Sequence, residues 1–537
     1  MKRMMRLYES FKTPIRVAFF GFVLIAIGFL IQNKNVNLFY TFKSSIILFI
    51  GELFLKVGEF IIMNLPLIFM LNAVCKRANN ASPVVMALVG YFTFLVTTML
   101  FSTQTLNSLA YVSGYGINSV FNLTSGTRLP LETGMIGSLL VAFATRTAFV
   151  LSRHRGNYSI TNIFSKDIAG IVYNVLFCFG FGIVIAYAYP FIYAYLQRVI
   201  TFISSDLSDP FRISIYSVLD RVLSILGIDK VIRYPFWFTS VGGSTSNLVT
   251  GQGVSGDVNI WAYVKDTVSN YVGAGRCITP YYVINMFIVP GFYLGTIFSI
   301  TDKKDRTSLI ITFVGAIMLS IIAGNPLPVE LLMLFTSPIL LVAYLILVGG
   351  VSYTFVRRGI YLGFEAASVN TTIAMPGSFP DFIVNVRNIN LSNTLWTITI
   401  VGLIALVIMF LLTIIYYRFI AFDFANTGKG DVIVLNTIES VGGAQNIISA
   451  KSSLFKLNIY LNNPELISIE KVQEVGPKRV SETKDGICFE FGTSSYAIAK
   501  RINKALSNWQ PSPYWLKFKG IWERWLIKYG SKKNIST

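Results

Sequence analysis

Charge is scarce in this sequence. Asp, Glu, Lys and Arg together make up 13% of its 537 residues, about half the roughly 25% of a soluble globular chain. That shortage excludes a soluble enzyme, a disordered chain and a nucleic-acid-binding module. Histidine is almost missing. The single one, His154, sits in Ser-Arg-His-Arg and reads as a solvated loop residue, not a phosphocarrier. Cysteine is also scarce: Cys75, Cys178, Cys277 and Cys488 lie far apart with no CxxC pair. Neither a zinc site nor a disulfide framework is indicated, and no metal or cofactor is expected.

What is present is apolar: 53% of the residues are hydrophobic. A helix crosses the hydrocarbon core with about 20 apolar residues. Residues 168–197 and 391–417 meet this with no charge at all. Further candidates are 17–31, 60–74, 83–100, 134–150, 281–300, 309–323 and 330–348. Segments 45–65 and 211–226 are interrupted by charges and read as interfacial, amphipathic or cavity-lining. The expectation is an α-helical polytopic membrane protein of about ten spans. The formal net charge of +19 fits cytoplasmic loops beside anionic lipid. The opening MKRMMRLYESFK reads as a basic flank, not a signal peptide, and places the N-terminus inside.

Composition changes near Phe424. Residues 428–506 are mixed polar and apolar, with no spanning run. The pattern predicts helix 433–441, strand 454–461, helix 465–475, strand 486–491 and helix 495–506. This is a small cytoplasmic α+β domain, and cysteines without a pairing pattern fit a reducing compartment. In residues 507–537, Trp515, Ile521, Trp522, Trp525 and Leu526 recur at helical spacing among Lys517, Lys519, Arg524 and Lys528. That tail reads as an amphipathic helix on the membrane surface, or as a helix packed on the cytosolic domain.

The small domain carries a resemblance. Its IESVGGAQNIISAKSSLFKLNIYLNNPELIS and GICFEFGTSSYAIAKRI resemble the IIB domain of bacterial phosphotransferase-system sugar transporters, through Gly442, Gly443, Asn446, Ile447, Gly486, Phe491 and Gly492. The membrane part resembles the glucose-superfamily IIC domain in collinear order. The stretches that carry this are FIIMNLPLIFMLNAVCKRANNASPVVMALVGY, TGMIGSLL, LDRVLSILGIDKVIRYPFWFT, AGNPLPVELLMLFTSPILL and FPDFIV. The resemblance implies a IIC-like helical bundle with re-entrant segments over residues 1–425 and a IIB-like domain over 428–506. It also implies a homodimer formed through the IIC part and a multi-pass protein of the bacterial cytoplasmic membrane.

Departures from the family decide the chemistry. The resemblance places the family's phosphate-carrying cysteine at Ser453. A thiolate is an effective nucleophile, whereas a serine hydroxyl needs an adjacent base. No histidine lies in the domain, and Lys451 and Lys456 are cationic. Lys456 and Asn458 stand where the family usually has arginines. Cys488 falls on the last strand and reads as a core thiol. On the IIC side the family's His-His pair corresponds to Asp229–Lys230. Its Glu in Gly-Ile-Thr-Glu-Pro corresponds to Leu327, with Pro328 and Glu330 kept. In the family those residues hold the sugar and assist a proton transfer, which requires a titratable group. Leu327 has none.

The candidate solute-binding residues are Asn64, Asp229, Lys230, Arg276, Asn325, Leu327, Glu330 and Asp381. Each has a plainer alternative. Asp229 and Lys230 can neutralise each other at a helix end, and Asp220–Arg221 can be a structural ion pair. Glu330 can serve a helix N-terminus, and Arg276 can be a loop cation. Asn64–Pro66 and Asn325–Pro328 break apolar runs, as transporter helices do at a cavity. The Gly-rich stretch 239–258 lacks the lysine of a P-loop and reads as a flexible loop over the pathway.

Three functions fit. The first is a permease for a sugar or related polar solute without Cys-dependent phosphotransfer. The second is a solute sensor or scaffold derived from one. The third is an active sugar phosphotransferase using Ser453 or an external IIB subunit. Expected partners are the solute, membrane lipid, a second copy of the chain and other phosphotransferase-system proteins, and not nucleic acid.

Overall fold

The computed structural model describes residues 13–507 apart from 29–30, 33–44, 76–80, 103–129, 154–165, 247–252, 268–273, 365–375, 387–390, 418–429, 469–470, 473–474 and scattered single positions. His154 and the Trp-rich tail therefore lie outside the described residues. The chain forms two compact units: residues 1–294 with 312–411, and residues 295–311 with 412–537.

In the first unit, α1 (Ser45–Met63) and α2 (Leu65–Cys75) are one apolar run broken at Asn64. The Asn64 Nδ2 donates back to the Phe60 carbonyl at 2.9 Å, and Pro66 removes a backbone donor in the next turn. Next come α3 (Ser82–Phe101), α4 (Gly134–Arg153) and α5 (Lys166–Ser204), which pack together through a polar clamp. Asn174 of α5 is fully buried. It donates to the Met86 carbonyl at 2.5 Å and accepts from Thr145 Oγ1 at 3.3 Å. A Cβ on Gly90 would collide with Asn174 Nδ2, and one on Gly182 with Thr97. Small residues and one satisfied amide are what holds helices together where no hydrophobic drive exists between them. The 39 residues of α5 span about 58 Å at about 1.5 Å each. That is nearly twice the hydrocarbon core, so one end stands outside it.

Two helices follow with marked ends. α6 (Pro210–Leu226) starts where Asp209 accepts from the Phe211 N–H at 2.9 Å and stops at Gly227, in the left-handed region at φ 73°. The Ile228 N–H then caps the Leu223 carbonyl at 3.0 Å, as in a Schellman end. α7 is Lys230–Phe238. The Gly-rich stretch forms an antiparallel hairpin of β1 (Ser244–Ser246) and β2 (Gly253–Ser255), so its described part is paired backbone.

The unit continues with α8 (Asp257–Thr267) and α9 (Thr279–Ser299), whose turn Ile284–Ile288 is a π-bulge. After these come α10 (Lys303–Ala323), α11 (Leu327–Thr336), α12 (Pro338–Arg358), α13 (Phe379–Val386) and α14 (Ser392–Ile415). The run 330–348, read as one span from its hydropathy, is two helices. Ser337 leaves helical geometry at φ −149° and ψ 65°, because Pro338 disfavours a helical residue before it. Among the described residues six helices are long and apolar enough to cross a membrane: α3, α4, α5, α9, α12 and α14. Phe191, Tyr195, Ile346 and Trp396 on these helices are 68–80% exposed, as lipid-facing side chains are.

The second unit holds a four-stranded antiparallel sheet of order β3-β4-β6-β5. The strands are β3 (Ile447–Ser452), β4 (Lys456–Leu461), β5 (Val480–Thr483) and β6 (Gly486–Glu490), flanked by α15 (Gly430–Ser440) and α16 (Ser495–Ser507). Val434, Ile447, Leu457, Ile459, Phe489, Ile498 and Ile502 form its core. The predicted helices 433–441 and 495–506 and strands 454–461 and 486–491 correspond to α15, α16, β4 and β6. β3 and β5 are additional strands. The predicted helix 465–475 is a 3-10 turn at Pro464–Leu466 with helix among its described residues only at 471–472.

Candidate functional site

An ionic cluster lies buried in the first unit. The carboxylate of Asp220 on α6 accepts from Arg221 Nε at 2.9 Å and Nη2 at 2.6 Å, from Arg233 Nε at 2.6 Å and from the Tyr281 hydroxyl at 2.5 Å. Arg233 of α7 also pairs with Asp229, four residues earlier. Arg221 Nη1 approaches Glu330 Oε1 at 3.5 Å, and that same oxygen accepts from the Tyr344 hydroxyl at 2.7 Å. The guanidinium of Arg221 lies 4.5 Å from the Tyr281 ring centre. Asp220, Arg221 and Glu330 are at most 1% exposed. Charges so deep must be paired and hydrogen-bonded to be tolerable. The second oxygen of Glu330 has no hydrogen-bond partner among the described residues.

The cluster joins α6, α7, α9, α11 and α12. Two of the sequence candidates, Asp229 and Glu330, belong to it, linked through Arg233, Asp220 and Arg221. Arg233, Tyr281 and Tyr344 were missed. Arg233 stands at i+4 from Asp229, a spacing that places two side chains on one helix face. The two tyrosines gave no signal, because a sequence does not show which tyrosine of a span faces a carboxylate. The side chain of Lys230, and with it the expected pairing to Asp229, lies outside the described residues. Asp229 is paired with Arg233.

Asn325 and Leu327 lie elsewhere, at the start of α11. They line an apolar cleft with Pro328, Leu331, Leu65, Phe69 and Met135. Its internal space of about 10 Å³ holds at most one water. Asn325 Oδ1 accepts from the Leu327 N–H at 2.9 Å and starts α11. Leu65 brings the break at Asn64 to this cleft, although the Asn64 amide itself bonds within its own turn. Gly134 of the TGMIG element sits at φ 50°, and a Cβ there would lie 2.5 Å from the Gly227 carbonyl. That close approach holds α4 against the end of α6.

Arg276 and Asp381 occupy other places. The carboxylate of Asp257 at the start of α8 accepts three backbone N–H groups, from Gly275 at 2.7 Å, Arg276 at 3.3 Å and Cys277 at 2.9 Å. Burial still outweighs those bonds and pushes its carboxyl up to about 6. This fixes the turn that presents Arg276, whose guanidinium lies 5.4 Å from the Tyr361 ring centre. Its Nε is buried without a hydrogen bond. Asp381 is buried in the first turn of α13, with its N–H 3.4 Å from Ser378 Oγ. Among the described residues no group of three or more His, Cys, Asp or Glu side chains is placed to hold a metal ion.

In the second unit, Ser453 is 8% exposed at the turn between β3 and β4, and its N–H donates to the Lys456 carbonyl at 2.8 Å. Its neighbour Ser452 is fully buried and tied to Thr301 in both directions. The Ser452 N–H donates to Thr301 Oγ1 at 2.7 Å, and the Thr301 N–H to the Ser452 carbonyl at 2.9 Å. Lys451 lies over the Tyr460 ring at 4.6 Å. The residues that carried the resemblance have structural tasks. Gly442 and Gly443 adopt φ 89° and 88°, which L side chains resist. Asn446 Nδ2 donates to the Val441 and Asn463 carbonyls, both at 2.8 Å, and its Oδ1 accepts from the Asn463 N–H. These residues fold the turn and supply no nucleophile.

A helical assembly with six candidate spans among the described residues, a buried ionic cluster and a small strand-containing region fits a multi-pass membrane protein. Comparison with characterised proteins narrows this. The chain is 22% identical, over 95% of its length and 74% of the relative's, to the glucoside-specific EIICBA component of the phosphotransferase system from Staphylococcus carnosus. That likeness supports a phosphotransferase-system permease. No family model matches the chain.

Proposed function

We propose that this chain is a membrane permease for a sugar or related polar solute, built as a IIC-like transport domain (1–425) followed by a IIB-like domain (428–506). In this reading Cys-dependent phosphotransfer is absent. The relative acts on glucosides by its name, and glucosides are the first solute class to test. One observation carries the reading: Ser453, where the resemblance places the carrier cysteine, is a buried alcohol in the turn between β3 and β4, with no histidine in the domain's sequence. A serine attacks phosphorus only with a base to take its proton.

Transport would be alternating access, with about ten spans, a homodimer formed through the membrane part and both termini in the cytoplasm. The solute would sit between the cleft at Asn325–Leu327 and the cluster at Asp229 and Glu330, with Lys230, Arg276, Asn64 and Asp381 on the pathway. The closed cleft supports this, since a carrier must have a state in which its site is sealed. The test is uptake of labelled methyl glucosides into proteoliposomes holding the full chain and no carrier proteins. Unmodified sugar inside the vesicles is the expected result. No flux for any sugar in a broad panel would favour a sensor instead.

A further inference from the structure

The described members of the buried cluster are three carboxylates, Asp220, Asp229 and Glu330, and two guanidiniums, Arg221 and Arg233. Among these described side chains the carboxylates outnumber the guanidiniums by one, with the side chain of Lys230 outside the described residues. Asp220 takes hydrogen bonds from both guanidiniums and a tyrosine, and Asp229 is about one-fifth exposed and paired with Arg233. Glu330 is the poorly compensated carboxylate. It is fully buried, its nearest charged neighbour is Arg221 at 3.5 Å, its one short bond comes from neutral Tyr344, and Oε2 has no partner among the described residues. Of the other charged groups, Asp220 and Arg233 also act on it, with opposite signs. The cleft side of α11 meets Leu65, Phe69 and Met135, and Glu330 is the only ionisable residue of its own helix.

The geometry points to Glu330 as the seat of an exchangeable proton that couples solute movement to the proton gradient, one proton per solute. This rests on the permease reading above. A carrier that does not phosphorylate its solute must draw any accumulation from another gradient. A proton taken from the outer solution forms an O–H bond at Oε2 and removes the charge of Glu330. That hydroxyl can donate to a solute oxygen, whereas the bare carboxylate leaves a buried charge unbalanced. The loaded site and the protonated site therefore favour each other, which is the differential affinity that coupling requires. On the inner side the same O–H bond breaks, and solute and proton leave together.

The test uses proteoliposomes of the full chain, voltage clamped to zero, with the interior one pH unit more alkaline than the exterior. Methyl glucoside should accumulate to about tenfold above its outside level, since one pH unit is a factor of ten in proton activity. Internal pyranine should report acidification on its addition. Any flux left in Glu330→Gln should be insensitive to the gradient. Equilibration without accumulation in the native chain would overturn the coupling and leave the permease reading standing. No flux with any sugar would overturn both. Infrared spectroscopy of the native chain in lipid gives an independent readout, because a protonated-carboxyl stretch absent from Glu330→Gln is expected. If no such band is found at any pH between 5 and 8, the assignment to Glu330 fails whatever the transport result.

Discussion

Replacing Asp220 by Asn should destabilise the membrane unit severely. The side chain keeps its shape but loses its charge, and four hydrogen bonds end on that carboxylate: two from Arg221, one from Arg233 and one from Tyr281. Two guanidiniums that are 1% and 12% exposed then lack their shared counter-charge. Breaking a buried ion pair by removing one partner costs about 3–5 kcal/mol. Tyr281→Phe removes a single bond to a charged acceptor and should cost about 1.5–3 kcal/mol. The two changes touch one oxygen, so their double variant should fall short of the sum. The assay is thermal unfolding in a fixed detergent, followed by tryptophan fluorescence, with the apparent Tm compared between variants. A drop of several degrees is expected for Asp220→Asn, and a smaller one for Tyr281→Phe. An unchanged Tm for Asp220→Asn would refute the description of the cluster as mutually dependent charges.

Other consequences are equally open to measurement. Gly134→Ala combines a positive φ with a Cβ too close to the Gly227 carbonyl, and should lower the apparent Tm by the equivalent of about 1–3 kcal/mol. Asp257→Ala leaves three backbone N–H groups without their acceptor, at about 1–3 kcal/mol for each one that finds no water. The Asp257 carboxyl is raised from 3.8 to about 6, so its contribution is complete below pH 4 and fades as pH rises through 6. The Tm advantage of the native chain over Asp257→Asn should therefore shrink between pH 4 and 7; an advantage that grows would contradict the assignment. Asn446→Ala removes both carbonyl partners and the acceptor for the Asn463 N–H. It should loosen the small domain alone, seen as faster amide exchange in α15 and β3.

The sequence showed the membrane class plainly, because long uncharged runs have no other stable home. It also showed where helices break, since Asn64–Pro66 and Asn325–Pro328 carry their own stereochemistry. It did not show the break at Ser337, because hydropathy averages across a proline that costs the run no apolarity. β3 was hidden by its alternation of Ser and Lys with Ile and Ala, and β5 by four exposed residues with no apolar face. The candidate site was half legible. Asp229 and Glu330 stood out as charges in apolar surroundings, but their link runs through Arg221, Arg233 and Asp220 across three helices. No local pattern encodes such a contact. Leu327 was readable as a loss; that it lines an apolar cleft needed coordinates.

The most direct measurement of the central claim follows phosphorus. The full chain in vesicles is given labelled phosphoenolpyruvate, the general carrier proteins and methyl glucoside. The account predicts no label on the chain and free, unphosphorylated glucoside inside. Label on the chain that disappears in Ser453→Ala, with sugar phosphate released inside, would contradict it.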